Sequence, residues 1–162
     1  MAIREIRLSD DEILRKHSRE VEIVDDRIRE ILNDMDETMH KNNGVGLAAV
    51  QIGILKRLIV IDTLYDGSPS LKLVNPVIKK AKGTQEVEEG CLSFPHQFAK
   101  VIRPKEVVVE ALDENGKKIT IKGKDLLAQC LCHEIDHLDG KLFVDIMEEG
   151  TLEYIDDNNN KQ

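Results

Sequence analysis

The sequence predicts a single α+β domain, because its hydrophobic periodicity changes twice along the chain: a helical stripe, then short β-branched runs, then a second helical segment. At 162 residues the chain can bury most of its apolar surface in one unit, residues 1–162, and no Pro/Gly/Ser-rich linker divides it. A hydrophobic share of 41% beside a charged share of 33% is that of a globular rather than a disordered chain.

The N-terminal helix is expected from Asp26 to Asn43, where Ile28, Ile31, Leu32, Met35 and Met39 fall on one stripe and Gly44 marks the stop. That stripe calls for packing on a core and carries no chemistry. Short apolar runs follow at Leu58 to Asp62, Leu71 to Val74, Val107 to Ala111 and Ile119 to Ile121, separated by turns such as Tyr65-Asp66-Gly67-Ser68-Pro69 and Asp113-Glu114-Asn115-Gly116. They read as strands of antiparallel or mixed sheets, the last two joined as a hairpin. A final helix is expected from Asp125 to Leu138, with Gly140 at its stop. Leu127, Ala128, Leu131, Cys132, Ile135 and Leu138 cover one side of it, and Leu126 and Cys130 lie on the other. A helix this apolar belongs at the centre of a domain. The acidic tail, 148–162, is expected to fray or lie on the surface.

The formal net charge of −8 provides no overall basic field for DNA, RNA or an anionic membrane, although a local basic patch is compatible with it. No apolar run is long enough for a membrane-spanning helix, and the first residues lack the pattern of a secretory signal. A cytoplasmic location is the resulting expectation. Cys91, Cys130 and Cys132 are an odd set, better suited to metal binding or to buried thiols than to a disulfide frame.

The chemistry concentrates in His133-Glu134-Ile135-Asp136-His137, an H-E-x-x-H segment on the last helix. Its two histidines lie about 40° apart on the helical wheel and one turn apart along the axis, so both can reach one ion. Glu134 stands about 100° from His133 and about 60° from His137, beside the ion rather than on it, where a carboxylate can move a proton. Two histidines and a glutamate on a buried helix are costly without a partner, and a metal provides one. A catalytic tetrahedral site needs a third protein ligand. Peptidases with this motif usually take it downstream, but no histidine follows His137 and the glutamates there sit in the acidic tail. Upstream, Cys91 follows Gly90 at the end of a strand-rich stretch and is the best third ligand. Cys132 points about 100° from His133, into the core. Cys130 faces the metal side but would crowd a set drawn from one helix, so it reads as a pocket wall.

Three segments together resemble the peptide deformylase family: Gly44-Val45-Gly46-Leu47-Ala48-Ala49-Val50-Gln51, Glu89-Gly90-Cys91-Leu92-Ser93, and His133 through Gly140. Asn75-Pro76 and Arg103-Pro104 add to the likeness, which runs from the N-terminal helix to about Asp145. The resemblance implies a cytoplasmic enzyme, expected to be a monomer, that removes the formyl group from the formyl-methionine of nascent bacterial polypeptides. It implies Fe2+ on Cys91, His133 and His137, with Zn2+, Ni2+ or Co2+ as substitutes, and Glu134 as the proton carrier. Gln51 and the Leu92 N–H would steady the oxyanion. An apolar slot for methionine would be lined by Val45, Val87, Leu126, Cys130 and the His133 ring, with Glu89 paired to Arg103 behind Cys91. Gly44 and Gly46 would let an extended peptide pair alongside, although for these glycines alone a turn is an equal reading.

The chain departs from that pattern at Cys132, where glutamine is common, at Gln129 on the pocket side, and at Phe98, in a stretch that often carries arginine. These departures touch substrate preference after methionine rather than the reaction. The resemblance also implies the ribosome exit region as a partner, although the basic docking helix of some relatives is not evident in this short acidic tail. Two other readings remain at this point: a peptidase of the same motif with a different third ligand, and an inactive homologue whose metal is structural.

Overall fold

The computed structural model describes residues 2–155. Helix α1, Asp26–Lys41, starts where the Asp25 side chain accepts a hydrogen bond from the Ile28 N–H. It buries the expected stripe, Ile28, Ile31, Leu32, Met35 and Met39. It ends two residues before the expected Asn43, because Asn43 takes a positive φ of 55° and the Gly44 N–H turns back to the Met39 carbonyl.

The strands are β1 (Gly46–Ala48), β2 (Leu58–Ile61), β3 (Leu71–Lys82), β4 (Gln85–Cys91), β5 (Phe94–Arg103), β6 (Glu106–Leu112), β7 (Lys118–Lys124) and β8 (Glu153–Tyr154). They form a five-stranded sheet in the order β1-β2-β3-β6-β7 and a three-stranded sheet in the order β4-β5-β8. Every strand pair is antiparallel, which settles the choice between antiparallel and mixed sheets. The β6–β7 hairpin lies where the sequence puts it. Strand β3, by contrast, continues eight residues beyond Val74, and the long β4–β5 hairpin is additional to the strands that the sequence predicts.

Both faces of the larger sheet are covered, which explains the uninterrupted apolar run of β2. Leu58 and Val60 point into a core shared with α1, and Ile59 and Ile61 into a second core shared with helix α2, Leu126–Leu138. Helix α2 is central, as its all-round apolarity predicts, with Ala128, Cys130, Leu131, Cys132, Ile135 and Leu138 buried. Gly123 of β7 allows the close approach: a Cβ there would stand 2.8 Å from Leu131 Cδ1. Gly140 ends α2 at φ 72°. A short helix α3, Phe143–Ile146, follows, and Glu153–Tyr154 then lie against β5 on the surface. The remainder of the acidic tail, 156–162, lies outside the described residues. No helix among those described is long and apolar enough to cross a membrane.

Candidate active site and metal centre

The β4–β5 hairpin and α2 bring a thiol and two imidazoles together. Cys91 Sγ, one nitrogen of His133 and one of His137 all lie within 4.8 Å of one another, with Cys91 Sγ 3.3 Å from His137 Nε2. His133 turns its Nδ1 away from this cluster to Glu89 Oε1, at 2.5 Å, so its Nε2 faces the thiol. A carboxylate behind a ligating imidazole fixes tautomer and ring orientation. Arg103 in turn holds Glu89, Nη2 to Oε1 at 2.5 Å and Nε to Oε2 at 3.0 Å, and reaches Asp136 Oδ2 with Nη1 at 2.6 Å. Burial disfavours charge on Glu89, yet the hydrogen bonds from Arg103 and His133 outweigh it and hold its carboxyl down at about 2. The Glu89–Arg103 pair expected behind Cys91 is therefore present, and it supports His133 as well.

Glu134 is fully inside. Its Oε1 has no hydrogen-bond partner among the described residues, and neither does His137 Nδ1. Burial pushes its carboxyl up to about 7, against the pull of His133. Gly46 leaves the room it needs, since a Cβ there would sit 2.5 Å from Glu134 Oε2. Gln51 is oriented by its own hydrogen bonds: Oε1 accepts from the Ala48 N–H at 2.9 Å. Its Nε2 therefore points into the site, 3.0 Å from Ser93 Oγ and 3.4 Å from Cys91 Sγ. Leu92 occupies the turn between β4 and β5, directly after Cys91.

These groups open onto a cleft of about 690 Å3 lined by Gly44, Val45, Gly46, Leu126, Cys130 and His133, among others. Val45 and Leu126 are half-exposed on its walls. Cys130 is an apolar wall, its thiol pushed up to about 12 by burial, and Cys132 lies in the core, pushed up to about 11 for the same reason. Val87 is the expected wall residue that does not line the cleft. It shares a strand face with Glu89 and Cys91 but lies four residues, about 13 Å, from Cys91 and packs on the core. Phe98 and Gln129 both line the cleft, and Phe98 packs its ring over Gly90. Sequence reasoning missed Ser93 and Asp136 as supports, and missed Ile6 and Leu8 as cleft-lining residues. Their residue types are too common to signal either role.

A thiol from β4, together with two imidazoles and an unpartnered buried carboxylate from α2, fits a divalent ion and defines a metal-dependent hydrolase. The polypeptide deformylase family model matches residues 3–152. The chain is 60% identical over 150 residues to peptide deformylase 2 of Clostridium acetobutylicum, covering 92% of this chain and 98% of that one. It superposes on a peptide deformylase from Legionella pneumophila with a TM-score of 0.88 and 49% identity, over 91% of this chain and 88% of the other. A peptide deformylase from Synechococcus elongatus, solved in complex with actinonin, gives a TM-score of 0.87 and 41% identity over 90% and 81% of the two chains. The chain belongs to the polypeptide deformylase family. It is a metal-dependent hydrolase that removes the N-formyl group from nascent peptides.

Proposed function

We propose that Cys91, His133 and His137 hold Fe2+ in this enzyme, that Glu134 moves the protons, and that Gln51 Nε2 with the Leu92 N–H receives the developing oxyanion. The observation that carries this reading is the convergence of the thiol and both imidazoles beside a buried, unpartnered Glu134. A thiolate with two imidazoles suits iron, and Zn2+, Ni2+ or Co2+ can substitute. A divalent ion there would polarise the formyl oxygen and make water acidic enough to attack an unactivated amide.

The chain's own residues supply the rest. The glycine segment, 44–46, leads into the edge strand β1, where an extended peptide can add as a further strand. The methionine side chain enters the slot between Val45, Leu126, Cys130 and the His133 ring. The Gln51 amide is fixed before substrate arrives, because Ala48 and Ser93 hold its two ends, and a preoriented neutral donor suits an oxyanion. Glu134, buried beside the ligands with its Oε1 unpartnered, can take a proton from the attacking water and return it to the amine nitrogen as the C–N bond breaks. Formate and a free N-terminal amine leave. The setting would be the cytoplasm, on chains emerging near the ribosome exit, with the protein acting as a monomer. Actinonin, bound by the Synechococcus relative, is expected to compete for this cleft.

The test is formate release from a formyl-methionyl peptide by anaerobically purified protein, with metal content measured on the same sample. Glu134→Ala should keep its metal and lose roughly 10²–10⁴ in kcat. Cys91→Ser should lose the metal. A Cys91→Ser protein that binds metal as the wild type does would overturn the ligand set and favour a peptidase-type third ligand.

A further inference from the structure

The cleft-side strand is held from behind by a loop that the reaction itself does not use. Along β1 the backbone groups point alternately to the two sides of the strand. The Val45 carbonyl, just before β1, accepts from the Asp62 N–H at 2.9 Å, so Val45 faces β2, and within β1 the backbone groups of Gly46 and Ala48 face the open edge. Side chains engage the backbone at both ends of this stretch. The Ala48 N–H is held by Gln51 Oε1, and the Gly44 carbonyl accepts from the Tyr65 hydroxyl.

Tyr65 is fixed on three sides. Its N–H donates to Asp62 Oδ1 at 2.9 Å, beside the Leu64 N–H at 3.1 Å, and this carboxylate holds its backbone at a φ of 49°. Its ring packs edge-on against His40, with centroids 5.2 Å apart. His40 is itself pinned, Nε2 to Asp62 Oδ2 at 2.8 Å and Nδ1 to the Asp36 carbonyl at 2.9 Å. A half-exposed tyrosine with this much support, ending on the carbonyl of a strand that borders the cleft, is more than a surface contact.

We propose that Tyr65 is a positioning residue for the peptide downstream of the formyl-methionine: by capping the Gly44 carbonyl it fixes the outer end of β1 and so sets how an extended substrate pairs there. This rests on the deformylase site described above. Gly46 lies against Glu134, at the reacting end, and Gly44 lies against the Leu92 side chain, two residues or about 7 Å before the start of β1. The clamp therefore acts beside the residues that follow methionine, while the formyl group and its immediate neighbours meet Glu134, Gln51 and the metal ligands. Loss of the hydroxyl frees the outer end of β1 without touching those groups.

The experiment compares wild type and Tyr65→Phe, which keeps the ring on His40, on two substrates: formyl-methionine amide and a formyl-methionyl tripeptide. For the tripeptide KM should rise three- to tenfold with kcat within twofold, and for the amide both constants should stay within twofold. Melting temperature is recorded for both proteins, and Tyr65→Ala should show the same substrate dependence. Tyr65→Phe kinetics equal to wild type on both substrates would overturn the proposal, as would an equal loss on both. Absence of formate release by the wild type would instead remove the deformylase reading, and this inference with it.

Discussion

The contact between Gly46 and Glu134 shows how tightly individual residues constrain this site. A β-carbon at position 46 would stand 2.5 Å from Glu134 Oε2 and 3.0 Å from its Cγ and Cδ, so the carboxylate itself must move to admit an alanine. Misplacing a reacting group by about 1 Å can cost on the order of 10²-fold in rate. Gly46→Ala should therefore lower kcat roughly ten- to hundredfold while the protein keeps its full metal content, since none of the three ligand side chains is touched. Paired kinetics and metal analysis check this, and metal loss together with activity would show that the damage reaches the ligand cluster instead. The rarer residue types made this site legible in the sequence. Cys91, His133, Glu134 and His137 stand out because a thiol and an H-E-x-x-H helix have few other uses. Ser93, which holds Gln51, and Tyr65 do not stand out, because a serine and a tyrosine next to turns are ordinary.

Between elements, two ion-paired clusters join helix to sheet. The buried one ties β4, β5 and α2 through Glu89, Arg103, His133 and Asp136, with Glu89 and Arg103 almost fully enclosed. Removing one partner of a buried pair leaves the other charge uncompensated, at a cost of about 3–5 kcal/mol. Arg103→Met should lower the urea midpoint accordingly and weaken metal affinity roughly 10–100-fold, because Glu89 then orients His133 poorly. An unchanged metal affinity would sink the supporting role. The second cluster joins the end of α1 to the loop after β2. The Asp62 carboxylate, by its hydrogen bond, raises the His40 imidazole above its ordinary value. Asp62 is itself held below the usual carboxylate range, first by the Tyr65 N–H and then by His40. The raised His40 value makes its contribution full below about 6.5 and lost as the pH climbs through the folded value. The lowered Asp62 value makes its contribution full above about 3.8 and lost on acidification. Wild type should thus exceed His40→Gln in stability at pH 5–6 by less than about 1 kcal/mol, because the His40 side of the pair is exposed and screened by solvent. The difference should shrink towards pH 9, and a flat difference across that range would refute the linkage. These elements also mark where sequence reading runs out. Helices α1 and α2 were legible from apolar periodicity, whereas β4 turns Glu89 inward with Val87 and Cys91, which erases its alternation. Strand β3 passes through Asn75-Pro76, a pair that reads as a stop but is absorbed as an irregularity between Val74 and Val77, with Asn75 at φ 52°.

Over the whole molecule, metal binding and folding should be coupled, because the proposed ligands come from parts of the chain that meet only in the folded state. Cys91 ends β4 in the smaller sheet, while His133 and His137 lie 42 and 46 residues further on, in the helix packed against the larger one. An unfolded chain keeps the two histidines near each other but has no reason to bring the thiol to them, so the ion stabilises the native state selectively. At a free metal concentration 100 times Kd, that selectivity is worth about 2.7 kcal/mol. For a chain of this size, 1 kcal/mol corresponds to about 2–4 °C, so chelation should lower Tm by roughly 5–10 °C. The increment should grow with free metal in the logarithmic manner that mass action requires. Glu134→Ala should retain it, because that side chain does not bind the ion, whereas Cys91→Ser should lose most of it. Differential scanning calorimetry across a metal titration, run anaerobically on all three proteins, separates these cases. A melting temperature independent of metal in the wild type would mean that the site adds nothing to the union of the two sheets, and Cys91 would then hold no ion that folding depends on.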